Sequence, residues 1–453
     1  MPIKSLKLQL FSLIASEISS ASRYYQRLVC VGDAKSSAMQ ALRDKIDCPC
    51  VEWLLDPETY QAVDMKISPQ IIFFPDYFSR HPDLQAMLKN LQPKMARGDR
   101  IAALIFNPYL YWIYKLANHL GWRQGEIPNI FLTKSGLSNL VQISGFEIVQ
   151  MRMIGLFPFH LLGFGEILDK WLSSMPWLRN MAISTLVVLR PFPKMAPQPN
   201  PIPSLSIIIP ARNERGNIEN AMLRLQELNK RLKLEIIFVE GHSHDGTWEE
   251  ILHVQKLWND RFSIQCFQQT GRGKNDAVRL GFSKANGDLL TILDADLTMP
   301  PEHLHRFYEA WVENCGDFVN GNRLLYPMEG EAMRFLNRCG NVFFAHAIAF
   351  VLQVPLGDTL CGTKLLSRAD YQRIVRWRED FGDFDPFGDF ELLYGARVLW
   401  LGLVDMPIGY KNRVYGETNI HRFKHGLMLL RMFFIGWWKI RCGIRAFGKA
   451  KRC

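Results

Sequence analysis

A chain of 453 residues with 48% apolar and 22% charged side chains excludes an intrinsically disordered protein and leaves room for more than one domain with a sizeable core. A net charge of +10 admits two kinds of anionic partner, nucleic acid or a bilayer surface. Nine scattered cysteines, odd in number and with Cys48-Pro49-Cys50 as the only close pair, exclude a disulfide framework and point to a reducing compartment.

In chain order, the start Met1 to Lys7 followed by Leu8 to Ala15 has the outline of a signal peptide, but Lys7, Gln9 and Ser12 dilute its apolar stretch. The pattern predicts a cytoplasmic helix. Strand-like runs then recur at Leu28 to Val31, Gln70 to Phe74, Arg100 to Phe106, Phe146 to Met151 and Thr185 to Leu189, with helical patterns between them. That alternation predicts an α/β layer over residues 1–190. The order Ile71 to Asp76, Leu84 to Leu91, Gly98 to Asn107, Ser144-Gly145-Phe146 and Val187 to Pro191 resembles the later half of a class I S-adenosylmethionine methyltransferase, which implies a Rossmann-like fold. The cofactor signature is thin. Only Val29-Cys30-Val31-Gly32-Asp33-Ala34 could form the glycine turn, and Glu52 or Asp56 could be the ribose-binding acid or part of a solvated turn. A degenerate methyltransferase-like domain is expected, with an active methyltransferase as the alternative. Leu156 to Leu168, broken by Pro158, Gly163 and Glu166, is too short to span a bilayer and reads as interfacial.

Proline density from Arg190 to Pro203 predicts a stiff linker over 191–203 that cannot join a sheet. Beyond it, Leu205 to Pro210, Leu234 to Glu240 and Leu289 to Leu293 read as strands, each passing into a polar, acid-bearing loop. Ligands of open parallel sheets sit outside the carboxyl ends of the strands, so Glu214, Glu240, Asp245, Asp294 and Asp296 should converge on one crevice. Asp294-Ala295-Asp296 suits magnesium or manganese, which takes one or two carboxylates and completes its shell with water and phosphate oxygens.

Pro210 to Glu214, Val239 to Thr247 and Asp294-Ala295-Asp296 resemble the nucleotide-binding motifs of family 2 glycosyltransferases, most closely the dolichol/polyprenyl-phosphate mannose synthase-like branch. Gly271-Arg272-Gly273-Lys274, Gly321-Asn322-Arg323, Asp358 to Lys364 and Arg413 to Thr418 extend the resemblance over residues 204–420. It implies a GT-A (nucleotide-diphospho-sugar transferase) fold, an inverting reaction, a nucleotide-diphosphate sugar donor and a lipid-linked acceptor, either a polyprenyl phosphate or a glycan. Pro210, Arg212, Glu214, Glu240, Asp245, Lys274, Asp294, Ala295 and Asp296 would bind the donor, with Asp294 and Asp296 holding Mg2+ or Mn2+. Arg323 and Arg413 would neutralise the diphosphate, a role for which the guanidinium fork is suited. A hydroxyl acceptor needs a base, for which Asp389 is the candidate; the alternative makes Asp389 and Glu391 acids of a helix first turn. Glu240-Gly241, Arg212 and Thr298 depart from the commonest residues of the branch, which leaves the base and sugar of the donor open.

Val342 to Leu356 is a largely apolar run of sub-membrane length that could lie along lipid or be a core helix. From residue 421 onward, Arg422, Lys424, Arg431, Lys439, Arg441, Arg445, Lys449, Lys451 and Arg452 interleave with Leu427 to Phe434, Trp437 and Trp438. Basic residues mixed with aromatic and aliphatic ones suit an anionic bilayer better than a nucleic-acid groove, so 421–453 is expected to bind the cytoplasmic membrane face and no nucleic acid. His421 and His425 fit the same basic face better than a metal site. A non-catalytic membrane scaffold and a basic nucleic-acid binder are the competing classes.

Overall fold

Strands covered on both faces read as unbroken apolar runs, and here they build two parallel-dominant sheets. The computed structural model describes residues 4–32, 37–57, 60, 68–75, 77–119, 130, 132–156, 165–173, 175, 178, 181–192, 202–327, 335–416 and 422–441. The chain divides into one unit of Met1–Lys194 with Trp437–Cys453 and a second of Met195–Gly436. The segment expected at 421–453 is therefore split after Gly436. Most of the proline-rich stretch, residues 193–201, lies outside the described residues, as do Asp33, Ala34, 157–164, Glu417, Thr418, His421 and everything beyond Arg441.

The first unit contains β1 (Arg27–Val31), β2 (Val51–Leu54), β3 (Gln70–Phe74), β4 (Arg100–Phe106), β5 (Phe146–Ile154) and β6 (Ser184–Pro191), in the order β2-β1-β3-β4-β6-β5. Strands β1 to β4 run parallel, and β6 is inserted antiparallel to both β4 and β5. Val29, Val31, Ile72, Phe74, Ile101 and Ala103 alternate onto one face, where they meet Leu84, Leu88 and Leu91 of α3 (Leu84–Leu91) and Leu137 and Val141 of α5 (Lys134–Ile143). Helix α1 (Lys4–Ser22) is longer than the start pattern predicts; α2 (Ser37–Arg43), α4 (Tyr111–His119) and α6 (Gly165–Leu172) are the unit's other α-helices among the described residues. Strand β2 escaped sequence reading because its residues are only half-buried and carry Glu52.

The second unit contains β7 (Leu205–Ala211), β8 (Leu234–Glu240), β9 (Ser263–Gln268), β10 (Leu289–Ile292), β11 (Phe318–Asn322), β12 (Lys364–Ser367) and β13 (Leu403–Pro407), in the order β13-β11-β12-β10-β7-β8-β9. Only β12 is reversed, pairing antiparallel with β10 and β11. Ile207 and Ile209 of β7 face Ile218, Met222 and Leu225 of α7 (Arg215–Asn229), together with residues of α8 (Thr247–Trp258) and α10 (Leu304–Val312). Ile208 faces the other way, against α9 (Lys274–Lys284). The remaining helices are α11 (Phe335–Leu352), α12 (Arg368–Phe381), α13 (Asp389–Val398) and α14 (Arg422–Gly436). Helix α11 starts earlier and stops sooner than the apolar run 342–356 suggests, because Gln353 turns left-handed (φ 59°) ahead of Pro355. Among the described residues no helix is long and apolar enough to cross a membrane.

Candidate active site

Strands β7 and β10 pair in parallel, so their carboxyl ends release Glu214 and the Asp294-Ala295-Asp296 turn on the same edge of the sheet. The turn after β10 is tight. Leu297 is buried and left-handed (φ 53°), a costly conformation for this residue, and it brings Thr298 back onto Asp296. The Thr298 amide and hydroxyl donate to Asp296 Oδ1 at 3.1 and 2.8 Å, while Ala295 is buried in the core.

Each acid of this turn has a cation of its own. Lys274, the first residue of α9, lies 2.5 Å from Asp294 Oδ1, and both side chains keep about a third of their surface open (32% and 33%). Arg413 Nη2 lies 2.6 Å from Asp296 Oδ2, and its Nη1 lies 3.2 Å from Glu214 Oε1. Burial pushes the Asp294 carboxyl up, but Lys274, then Arg323 and Lys364, outweigh it and hold the group below its usual range. Burial opposes the Lys274 charge, yet Asp294, Asp389 and Asp296 together raise its pKa. Lys274 thus lies within electrostatic reach of Asp294, Asp389 and Asp296, and Asp294 within reach of Lys274, Arg323 and Lys364. Glu214 goes the opposite way from Asp294: burial outweighs Arg413 and Asn217 and pushes it up to about 7.

The loop from Asp358 to Lys364 closes one side. Gly362 runs against the pair of Lys274 and Asp294: a Cβ there would meet Lys274 Nζ and Asp294 Oδ2, and the two side-chain ends would have to shift to admit it. Asp358, fully buried, binds Arg323 through Nε at 2.7 Å and Nη2 at 3.0 Å, and the Arg323 guanidinium also lies 5.3 Å from the Tyr410 ring centroid. Arg323 therefore belongs to a buried, bidentate pair. Asp389 is the first residue of α13, after a left-handed Gly388, and accepts from the enclosed Lys364 ammonium at 2.6 Å. Lys364 also donates to the Cys361 carbonyl. Neighbouring Asp385 accepts from the Phe387 and Glu391 amides, and burial pushes it up to about 6. Glu391 is held by Arg279 and Arg378.

Two further predicted acids hold loops after β8. Glu240 is buried and turned into its own loop, where Oε1 accepts from the Ser243 amide at 2.5 Å and Oε2 from Gln268 at 3.3 Å. Asp245 accepts from the Thr247 hydroxyl, the Arg215 and Thr247 amides and Tyr415, and these bonds outweigh burial to hold its pKa low. Pro210 is the penultimate residue of β7, opposite Val239, and Arg212 is exposed beside Gly241. Sequence reading had no role for Lys364 or Asp385. Lys364 stands inside the Asp358 to Lys364 motif, but a buried lysine announces its counter-ion only in three dimensions. His425 lies on α14 with its ring 5.6 Å from that of Phe387.

Asp294 and Asp296 offer only oxygen donors, on a turn whose neighbours are cations, and this fits a hard divalent ion that draws its remaining ligands from a diphosphate. A dedicated protein cage is a different matter: no group of three or more His, Cys, Asp or Glu suited to a metal occurs among the described residues.

Residues 206–375 match the family model for glycosyl transferase family 2. This segment is a family 2 glycosyltransferase domain. It is similar to the dolichol-phosphate mannosyltransferase of Pyrococcus furiosus, 36% identical over 120 residues, which are 26% of this chain and 33% of that one. The Saccharomyces cerevisiae dolichol-phosphate mannosyltransferase is 37% identical over 124 residues, 26% of this chain and 44% of that one. Mouse (Mus musculus) dolichyl-phosphate beta-glucosyltransferase is 29% identical over 232 residues, covering 47% of this chain and 68% of its own. The chain thus spans less than half the length of the first two relatives. Among solved structures, glucosyl-3-phosphoglycerate synthase from Mycobacterium tuberculosis, in complex with Mn2+ and uridine-diphosphate-glucose, aligns with a TM-score of 0.38 at 17% identity over 54% of this chain and 81% of that one.

Proposed function

We propose that the family 2 domain moves a sugar from a nucleotide-diphosphate donor to a lipid phosphate, with inversion, at the cytoplasmic face of a membrane. The observation that carries this is the pairing of Asp294 with Lys274 and of Asp296 with Arg413 on one sheet edge. Such a cluster has both signs of charge that a metal diphosphate needs, carboxylates for the ion and fork or ammonium donors for phosphate oxygens. Mg2+ or Mn2+ held by Asp294 and Asp296 would supply charge neutralisation to the departing diphosphate.

The chain's own residues do the rest. Arg413 and Lys274 can turn from the acids to the diphosphate; Arg323, fixed by Asp358, adds positive potential from the loop side. An acceptor phosphate oxygen attacks the anomeric carbon from the face opposite the leaving diphosphate, which inverts that centre, and no proton need be removed. In this reading Asp389 anchors Lys364 beside the acceptor and is not the base. The relatives named as dolichol-phosphate mannosyltransferase and dolichyl-phosphate beta-glucosyltransferase support a polyprenyl phosphate acceptor. A lipid-linked glycan, with Asp389 as base, is the alternative. The first unit is proposed to be a degenerate methyltransferase-like domain. Its reversed β6 supports this, as does Met39, whose Cε lies 2.8 Å from where a Cβ on Gly32 would sit and so crowds that glycine. Calorimetry with S-adenosylmethionine should show no uptake.

The test is transfer of labelled sugar from UDP- and GDP-sugars to polyprenyl phosphate with Mn2+ or Mg2+. Product should form with one donor class, and Asp296→Asn should lower the rate at least ~100-fold, as expected for loss of an electrostatic group in the site. No product from any donor, with no nucleotide binding, would favour a non-catalytic scaffold.

A further inference from the structure

Building on that proposed donor site, we infer that Arg413 is a resident counter-ion of the metal position, so that metal and nucleotide bind only as a mutually dependent pair. Arg413 is forked between Asp296 at 2.6 Å and Glu214 at 3.2 Å, with no more than about a quarter of any of the three side chains exposed (27%, 15% and 10%). The residues after it are seated as a strap. The Tyr415 ring lies over Gly216, where a Cβ would sit 2.6 Å from ring Cδ2, and the Tyr415 hydroxyl reaches Asp245 at 3.3 Å. Gly416, left-handed at φ 78°, passes over the Asn213 carbonyl and Glu214. Three anchors therefore hold the guanidinium against Asp296 when no diphosphate is present.

A divalent ion arriving alone must take Asp296 from Arg413 and Asp294 from Lys274. It then leaves two displaced cations facing its own charge at short range, where repulsion is strong. A diphosphate removes the conflict, because its oxygens receive both displaced cations as well as the metal. The same exchange makes a diphosphate without metal a poor ligand, since Arg413 and Lys274 would have to abandon two acids that then repel it. Coupling of this kind is reciprocal, so each ligand raises the affinity for the other by one common factor.

Titration of the full chain with Mn2+, followed by electron paramagnetic resonance with and without UDP or GDP, measures that factor directly and needs no turnover. The wild type should take up Mn2+ weakly alone and at least ~10-fold more tightly with its preferred nucleotide, within the usual range of coupling. Arg413→Met should bind Mn2+ alone ~10-fold more tightly than the wild type and lose most of the enhancement by nucleotide. Arg413→Lys, which keeps the charge, should retain weak binding of Mn2+ alone. Melting curves of each variant confirm that the chain is folded. If folded Arg413→Met binds Mn2+ alone no better than the wild type, or Arg413→Lys tightens it as much as Arg413→Met, the exchange is wrong while the donor site stands. If the wild type binds neither Mn2+ nor nucleotide in any combination, the donor site itself is wrong and this inference goes with it.

Discussion

Lys364 is fully enclosed, and its ammonium is held by Asp389 and the Cys361 carbonyl. Removing one partner of a buried pair strands the other, so Lys364→Met should cost about 3–5 kcal/mol in urea unfolding. The double variant Lys364→Met, Asp389→Leu should recover most of that loss. Asp389→Asn separates the two acceptor chemistries: with a phosphate acceptor, transfer should stay within ~10-fold of wild type, whereas loss of a general base would cost ~100- to 10,000-fold. Glu214 carries a pH effect of definite sign. Its folded pKa of about 7 lies above the ordinary 4.5, so the folded chain retains a proton that the unfolded chain has released in that window. Stability should fall as pH rises from about 4.5 to 7, by at most ~3 kcal/mol, and then level off. Glu214→Gln should flatten the curve; a slope equal to that of wild type would assign it to other groups.

At the scale of elements, helix α9 shows how closely the site's scaffold is packed. A Cβ on Gly281 would meet Ile208 Cγ2 of β7 at 2.5 Å, so the helix that aims Lys274 touches the sheet at a glycine. Gly281→Ala should destabilise by about 1–3 kcal/mol through overpacking, despite its better helix propensity. Gly340 in α11 is the control, since nothing lies within 4 Å of its Cβ position, and Gly340→Ala should stabilise by up to ~1 kcal/mol. Thermal unfolding of both variants checks the contrast. Strands such as β7, β8 and β10 were legible in the sequence because burial on both faces leaves an apolar run ended by a polar loop. The reversal of β12 was not, for Lys364-Leu365-Leu366-Ser367 is four residues long and direction leaves no mark on composition. The candidate site was legible to the same extent: Asp294, Asp296, Lys274 and Arg413 belong to motifs visible in the sequence, whereas who pairs with whom depends on β10 lying beside β7 and on the strap reaching back from residue 413. Glu240 shows the converse, a motif acid whose strand position was right but whose oxygens serve its own loop.

On the scale of the whole molecule, the proposed lipid acceptor requires a surface that meets a bilayer, and no described helix crosses one. Helices α11 and α14 pack together within the second unit and leave apolar side chains outward. Leu427, Leu430 and Phe434 are exposed at helical spacing on α14, and Val342 and Phe343 are exposed on α11, with Arg431 exposed among them. An apolar stripe beside basic residues, on a chain of net charge +10, matches an interfacial helix on anionic lipid. Two forces then contribute and can be separated. Cosedimentation with phosphatidylserine-containing vesicles should be strong at low salt, weaker with pure phosphatidylcholine, and reduced but not abolished at high salt, because insertion of leucine and phenylalanine is not screened. Phe343→Asp with Leu427→Asp and Phe434→Asp should lower the vesicle-bound fraction at least ~10-fold, since burying even part of such side chains contributes more than 1.4 kcal/mol. The same variant should retain nucleotide binding, as none of the three residues touches the acid cluster. Undiminished vesicle binding by the triple variant would remove this face from the membrane and leave delivery of the lipid acceptor to another surface.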